Sequence, residues 1–161
     1  NYNPEQAEKM FALLKELGTP CLIEQPSYNL LNRWIENGLT DVLRKNKVGC
    51  IVFIPLAQGL LTGKYLNGIP ADSRAVRDPR FLKASGITEE QLAKIAKLND
   101  IAVARGQKLS QMALSWCLRD PVVTSALIGA SRPEQILENV EAVRNLTFTE
   151  EELKAIDEAV K

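Results

Sequence analysis

Apolar residues recur along this chain at two spacings, one typical of helices and one typical of buried strands. A helical period, bounded by capping and stop residues, predicts amphipathic helices over residues 4–17, 32–46 with an interruption near Gly38, 88–106, 110–118 and 149–160. Short apolar runs predict three strands, at residues 21–25, 48–54 and 124–128. Because each strand precedes a helix, the pattern predicts an α/β fold with about three parallel strands.

A long loop is predicted after the second strand, over residues 55–87, where Gly and Pro are frequent and periodicity is weak. Its sequence is not a Walker motif, since only three residues separate Gly59 from Gly63 and Tyr65 follows Lys64. The glycines still allow backbone N–H groups to approach an anion, and Lys64 supplies positive charge. The alternative is a flexible surface loop.

The third strand ends at Gly129 and leads into a predicted helix start, with Ser131 as N-cap and Pro133 in the first turn. Free N–H groups at such a helix start attract phosphate, and Arg132 adds a permanent positive charge. This segment predicts a phosphate site at the carboxyl end of the strand.

Further along this helix, Gln135, Glu138 and Asn139 are spaced i, i+3 and i+4, so their polar ends share one face. Together with the phosphate site, this face is typical of a nucleotide site with the base at the far end. The alternative is a capped helix with a solvated face.

Composition restricts the function classes. The 161 residues, 45% apolar and 25% charged, are typical of one soluble globular domain. Lys+Arg and Asp+Glu number 20 each, which favours neither nucleic acid nor an anionic membrane as partner. The apolar runs are too short to span a bilayer and the first residues do not resemble a signal peptide, so we expect a cytoplasmic protein.

Side-chain chemistry is restricted further by the absence of histidine, which excludes an imidazole base within the chain. Cys21, Cys50 and Cys117 are odd in number and lie in apolar runs. They are expected to be reduced buried thiols, and no metal site is predicted.

Two architectures fit the βα repetition: a self-sufficient α/β domain, or part of a larger (β/α)8 barrel of about 250 residues. The opening segment, Asn-Tyr-Asn-Pro, is typical of the connection between a preceding strand and the first helix. This favours residues 1–161 as one partial domain, a segment of a larger barrel.

Four segments carry a resemblance to a known family: Gln-Pro-Ser-Tyr-Asn-Leu-Leu at 25–31, Pro-Leu-Ala-Gln-Gly-Leu-Leu-Thr-Gly-Lys-Tyr at 55–65, Ile-Pro-Ala-Asp-Ser-Arg at 69–74, and Ile-Gly-Ala-Ser-Arg-Pro-Glu-Gln-Ile-Leu-Glu-Asn at 128–139. They resemble the aldo-keto reductases, in order and over essentially the whole chain. Within that family they are most similar to the branch of bacterial aldehyde reductases and potassium-channel β subunits. The resemblance implies the C-terminal half of a (β/α)8 TIM barrel, from the end of the fifth strand onward.

The resemblance also implies which residues hold an NADPH cofactor. Its nicotinamide is implied to contact Asn1, Gln25 and Phe53, with the Phe53 ring stacked on it. The pyrophosphate is implied to lie on a loop containing Pro55, Leu56, Gln58 and Gly59, with charge from Lys64 and Arg74. The 2′-phosphate region is implied to contain Gly129, Ser131, Arg132 and Gln135, and the adenine contacts to be Glu138 and Asn139.

The chain departs from the family pattern in two respects. Many relatives have an arginine at the position of Gln135, and we expect Arg132 to substitute for it and to favour NADPH over NADH. The family's catalytic Asp, Tyr, Lys and His belong to the first half of the barrel, so no catalytic residue is assigned here. Tyr28 is expected to border the substrate pocket.

The resemblance thus implies the NADPH-binding half of a bacterial, cytoplasmic oxidoreductase that reduces small aldehydes or ketones by hydride transfer, with the isolated chain inactive. The alternatives are a redox-sensing regulatory subunit similar to the potassium-channel β subunits, and a free-standing interaction domain without nucleotide. An open half barrel exposes sheet edges, so we also expect pairing with the missing half or a homo-oligomer.

Overall fold

The fold is described by a computed structural model that covers residues 1–71, 73–77 and 82–161, without the side chain of Arg74. A parallel sheet has the order β1-β2-β3, formed by Ile23–Glu24, Gly49–Phe53 and Val123–Leu127. The described α-helices are α1 (Pro4–Glu16), α2 (Leu39–Asn46), α3 (Arg74–Arg77), α4 (Glu89–Ala104), α5 (Leu109–Leu118), α6 (Pro133–Val140) and α7 (Glu150–Ala159). The α/β prediction is confirmed.

The strands lie in register so that their carboxyl ends meet at one edge. Ile23 pairs with Gly49 in the first ladder, and Phe53 pairs with Leu127 in the second. Cys50 and Val52 are buried while Ile51 and Phe53, on the opposite face of β2, are only half-buried. The prediction that both faces of this strand are covered is therefore wrong for the described residues, because the core lies on the Cys50 face.

Side-chain caps set three of the described helix starts at the predicted places. The Asn3 carboxamide accepts the Gln6 N–H at 2.8 Å ahead of α1, and the hydroxyls of Thr88 and Thr149 cap α4 and α7. Gly38, with φ of 99°, separates a 3-10 turn at Trp34–Glu36 from α2, which confirms the predicted interruption. The left-handed conformation there suits glycine.

The predicted N-cap of α6 is wrong by one residue. Arg132, not Ser131, is the N-cap, with extended backbone at φ −144° and ψ 146°. The cause is Pro133 at the first helical position, because a residue that precedes proline is driven out of the helical region.

The long loop after β2 contains short helical segments that the sequence pattern did not predict. These are 3-10 turns at Ala57–Thr62 and Ala84–Gly86, and the four-residue helix α3. The rest of the predicted loop contains no regular element among the described residues.

Helix α5 forms the centre of the core, as its apolar composition predicts. Its residues from Leu109 to Cys117 are buried, apart from the half-buried Gln111. Trp116 is fully buried, with the Tyr28 ring stacked on it at 5.0 Å between centroids.

The three cysteines are free. Cys50 and Cys117 are buried, and desolvation raises the pKa of each thiol to about 12, which keeps both protonated at neutral pH. Cys21 is only half-buried, so the prediction of burial is wrong for this residue. Over the described part of the chain, no group of three or more Cys, Asp or Glu side chains is arranged to hold a metal ion.

Within the described ranges, no helix combines the length and the apolar character that crossing a bilayer requires.

Candidate functional site

A cleft of about 580 Å³ opens at the carboxyl edge of the sheet. It lies between the loop after β2, the residues after β3, the start of α5 and one face of α6. The volume is within the range of small-molecule and cofactor sites, about 300–1,000 Å³. Its lining combines aliphatic side chains with a few polar groups, which is the usual composition of such sites.

The cleft brings together predicted site residues from two distant parts of the sequence. Those that line it are Pro55, Leu56, Gln58, Gly59, Lys64, Gly129, Ser131, Gln135, Glu138 and Asn139. Because all three line the same cleft, the prediction that Gln135, Glu138 and Asn139 share one helix face is confirmed. Arg132 does not line the cleft, and the side chain of Arg74 lies outside the described part of the chain.

Asn1, Gln25 and Phe53 lie at the same edge of the sheet but do not line the cleft. The Asn1 carboxamide oxygen accepts the Ser27 N–H at 2.9 Å, and Ser27 pairs with Phe53 beyond the end of β1. These residues form a neighbouring surface, and the described structure does not join it to the cleft.

The loop that forms one wall of the cleft has an unusual backbone. Ile54, Ala57 and Gln58 have φ of 57°, 47° and 59°, a region that residues other than glycine seldom adopt, and Gly59 has φ of 100°. Such conformations cost about 1–3 kcal/mol each and cluster at functional sites. The sequence gives no signal for them, because only Gly59 is a residue type that favours positive φ.

Hydrogen bonds within this loop hold its shape. The Gly59 N–H donates to the Leu56 carbonyl at 2.9 Å, and the Thr62 hydroxyl donates to the Gly59 carbonyl at 2.7 Å. The Gly59 N–H is thus engaged within the turn, and Gly59 lines the cleft with its donor already paired.

Gln58 Oε1 is a buried oxygen without a hydrogen-bond partner in the described structure. A buried acceptor left unpaired is costly, and its presence on a cleft wall indicates where a ligand donor fits. Lys64 lines the same cleft and places a positive charge there.

At the start of α6 the backbone donors are capped by Gln135. Its Oε1 accepts from the Ser131 N–H at 2.8 Å, the Ser131 hydroxyl at 3.2 Å and the Arg132 N–H at 3.3 Å. The Arg132 side chain is exposed and forms no ion pair with a described residue. Gln135 therefore organises the helix start, while Arg132 supplies charge beside it.

On the same face of α6, the Glu138 carboxylate is paired with Lys108 and accepts the Ser110 hydroxyl at 3.2 Å. Asn139, the next residue, is 8% exposed. At this end of the cleft, the Glu138 carboxylate is therefore a hydrogen-bond acceptor held in place, next to the buried side-chain amide of Asn139.

Tyr28 does not border the cleft, and its place beside the substrate pocket stays a prediction. Its ring packs on Trp116, and its hydroxyl donates to Glu36 Oε1 at 2.5 Å and accepts from Arg119 at 3.0 Å. Burial raises the pKa of the Tyr28 hydroxyl, so the group keeps its proton at neutral pH. The Tyr28 ring packs in the core against Trp116, which lies far along the chain, and local sequence does not predict such a contact.

Several lining residues were not predicted from sequence: Ile54, Thr62, Tyr65, Ser110, Leu127, Ile128 and Ala130. Ile54, Leu127 and Ile128 lie at strand ends, a position that was a usable signal in a parallel sheet. Ser110 comes from a helix start far along the chain, and no local pattern points to it.

The chain belongs to the aldo/keto reductase family, whose family model matches residues 1–161. The three-stranded parallel sheet with its helices agrees with part of that family's (β/α)8 barrel.

Two relatives place the chain within this family. It is 57% identical over 164 residues to L-glyceraldehyde 3-phosphate reductase of Escherichia coli strain K12, which covers 99% of this chain and 47% of that protein. It is 41% identical over 140 residues to a putative voltage-gated potassium channel subunit beta of Schizosaccharomyces pombe, covering 84% of this chain and 41% of that protein. The chain spans about half the length of these curated relatives.

Proposed function

We propose that this chain is the NADPH-binding half of a cytoplasmic aldo-keto reductase that reduces aldehydes or ketones. The observation that carries the proposal is the cleft at the carboxyl edge of the sheet, which gathers residues 55–64 and 129–139 around one cavity of cofactor size. Ligands of parallel α/β folds bind at this edge, and in barrels the active site lies at the same face. The similarity to a reductase supports the reaction class.

The residues of the cleft fit a dinucleotide phosphate by their chemistry. Gln58 Oε1 is an unpaired buried acceptor for a ligand hydroxyl or amide. Lys64 carries positive charge in the cleft, and the exposed Arg132 adds charge beside it, as phosphates need. Glu138 and Asn139 offer hydrogen-bonding groups to a base. When bound, the reduced nicotinamide supplies a hydride to the carbonyl carbon of the substrate.

In this proposal, the residues of the chain bind and orient the cofactor, and a tyrosine outside the chain donates the proton to the carbonyl oxygen. The remaining half of the barrel covers the sheet edges, where Leu22 and Leu127 are exposed. Exposed apolar edges of this kind favour association, so without that half we expect self-association into a homo-oligomer.

Isothermal titration calorimetry with NADPH and NADH tests this proposal. We expect tighter binding of NADPH, and we expect Arg132→Ala to weaken NADPH binding by about tenfold or more while leaving NADH unchanged. The reason is that a charge-assisted bond to phosphate is worth about 1.5–3 kcal/mol. Calorimetry is preferred to tryptophan fluorescence because neither Trp34 nor Trp116 lines the cleft.

Arg144→Ala provides a matched control, since Arg144 is also exposed and lies just beyond α6, where it pairs with Glu141 at 2.7 Å. It should leave both affinities unchanged. Equal affinities for NADPH and NADH, or equal losses in the two arginine variants, would contradict the assignment of Arg132 to the 2′-phosphate.

A second candidate function is a nucleotide-binding regulatory subunit, favoured by the 41% identity to a putative channel β subunit. The cofactor site is the same in both proposals. The two differ in the residues outside this chain: an intact tyrosine and lysine pair in the preceding polypeptide favours the reductase, and its loss favours the regulator.

A further inference from the structure

The start of α5 carries three residues that hold Glu138 from one side. Lys108 Nζ forms an ion pair with Glu138 Oε2, and Ser110 Oγ donates to Glu138 Oε1 at 3.2 Å. Gln111 Nε2 donates to the Glu138 backbone carbonyl at 3.0 Å, while its Oε1 accepts the Lys108 N–H at 2.9 Å. We call Lys108, Ser110 and Gln111 the α5 clamp.

The clamp fixes both the backbone and the carboxylate of Glu138. A glutamate side chain has several rotatable bonds, and their freedom is lost when the carboxylate binds a ligand. Here the ion pair and the Ser110 bond restrict that freedom in advance. Ser110 is 2% exposed and lines the cleft beside Glu138, so the restriction acts inside the site.

The clamped carboxylate still has capacity to accept. Each ionised carboxylate oxygen accepts about two hydrogen bonds, and the clamp occupies one position on each. The remaining positions suit a donor such as an amino group, and they repel a carbonyl oxygen placed at the same point.

We infer that Lys108 and Ser110 are positioning residues that orient the Glu138 carboxylate toward the amino group of a bound adenine. They thereby set the preference of the site for adenine over a purine with a carbonyl at that position. This inference rests on the proposed function, in which Glu138 and Asn139 contact the base.

The test compares dissociation constants for NADPH and for its reduced hypoxanthine analogue, in which a carbonyl replaces the amino group. In the unaltered chain we expect the adenine form to bind about tenfold more tightly. In Lys108→Met combined with Ser110→Ala, we expect this ratio to fall to about threefold or less. Lys108→Arg keeps the charge and should preserve the ratio.

Lys45→Met is the matched control, because Lys45 is similarly exposed and its ion pair with Glu8, at 2.7 Å, joins α1 and α2 away from the cleft. It should leave the ratio at the unaltered value. Should the double variant fail to fold in a thermal unfolding scan, Lys108→Met alone, at a position 65% exposed, still lowers the ratio.

A ratio that stays at the unaltered value in folded Lys108→Met and double variants would overturn the inference and leave the proposed function intact. If the variants weaken the binding of both ligands equally, the inference is also overturned, because Lys108 and Ser110 then have only a general structural role. If the unaltered chain binds neither ligand, the proposed function itself fails, and the inference fails with it.

Discussion

The purified 161-residue chain, supplied with NADPH and small aldehydes, is expected to show no turnover above background. In the proposed function the chain positions the cofactor, while proton delivery to the carbonyl oxygen comes from a residue outside it. Positioned acid catalysis contributes about 10²–10⁴-fold by itself, and the proposed function also assigns part of the substrate pocket wall to residues outside the chain. Oxidation of NADPH followed at its absorption band measures the effect.

A chimera supplies the positive control for this experiment. The amino-terminal half of the Escherichia coli reductase, joined ahead of Asn1, is expected to restore aldehyde-dependent NADPH oxidation, because that protein is 57% identical to this chain over the shared half. Turnover by the 161-residue chain alone, retained after repeated purification, would refute the assignment of the chemistry to residues outside it.

Trp116→Ala is expected to lower the free energy of unfolding by about 3–5 kcal/mol, the usual cost of removing a buried aromatic side chain. Trp116 is fully buried, and its ring contacts Tyr28 on one side. The guanidinium groups of Arg119 and Arg33 lie 3.8 Å and 4.8 Å from the ring centre. Urea unfolding followed by circular dichroism measures the loss, which is a large fraction of ordinary domain stability.

Trp116→Phe is the matched control. The indole Nε1 of Trp116 has no hydrogen-bond partner among the described residues, so phenylalanine removes volume but breaks no hydrogen bond. We expect a loss below about 2 kcal/mol. If the alanine variant were as stable as the phenylalanine variant, the central packing role of this tryptophan would be disproved.

The elements of the fold were predictable because their signals are local. Asn3, Thr88 and Thr149 are good caps, Gly38 interrupts a helical pattern, and the apolar runs mark the strands. Two element boundaries differ from the prediction for physical reasons. Pro133 shifts the α6 cap from Ser131 to Arg132. Of the predicted first strand, only Ile23 and Glu24 pair with β2.

The candidate site was predictable from local pattern in α6 and in the glycine-containing segment with Lys64, while the other loop residues followed from the family resemblance. The turn at Ala57 and Gln58 adopts positive φ that neither residue type favours, so its shape depends on the surrounding structure. The link from Lys108 and Ser110 to Glu138 joins positions about 30 residues apart, which no local spacing encodes.

The most direct test of the central claim is an NMR titration of the isotopically labelled chain with NADPH. The backbone amide signals of Gln58, Ser131 and Gln135 are expected to shift, because these residues line the cleft at the carboxyl edge of the sheet. Signals of Val122 and Thr124 should stay in place, since they line a separate cavity of about 330 Å³ beside the amino ends of β2 and β3. Shifts confined to that second cavity, or no shifts at millimolar NADPH, would contradict the account.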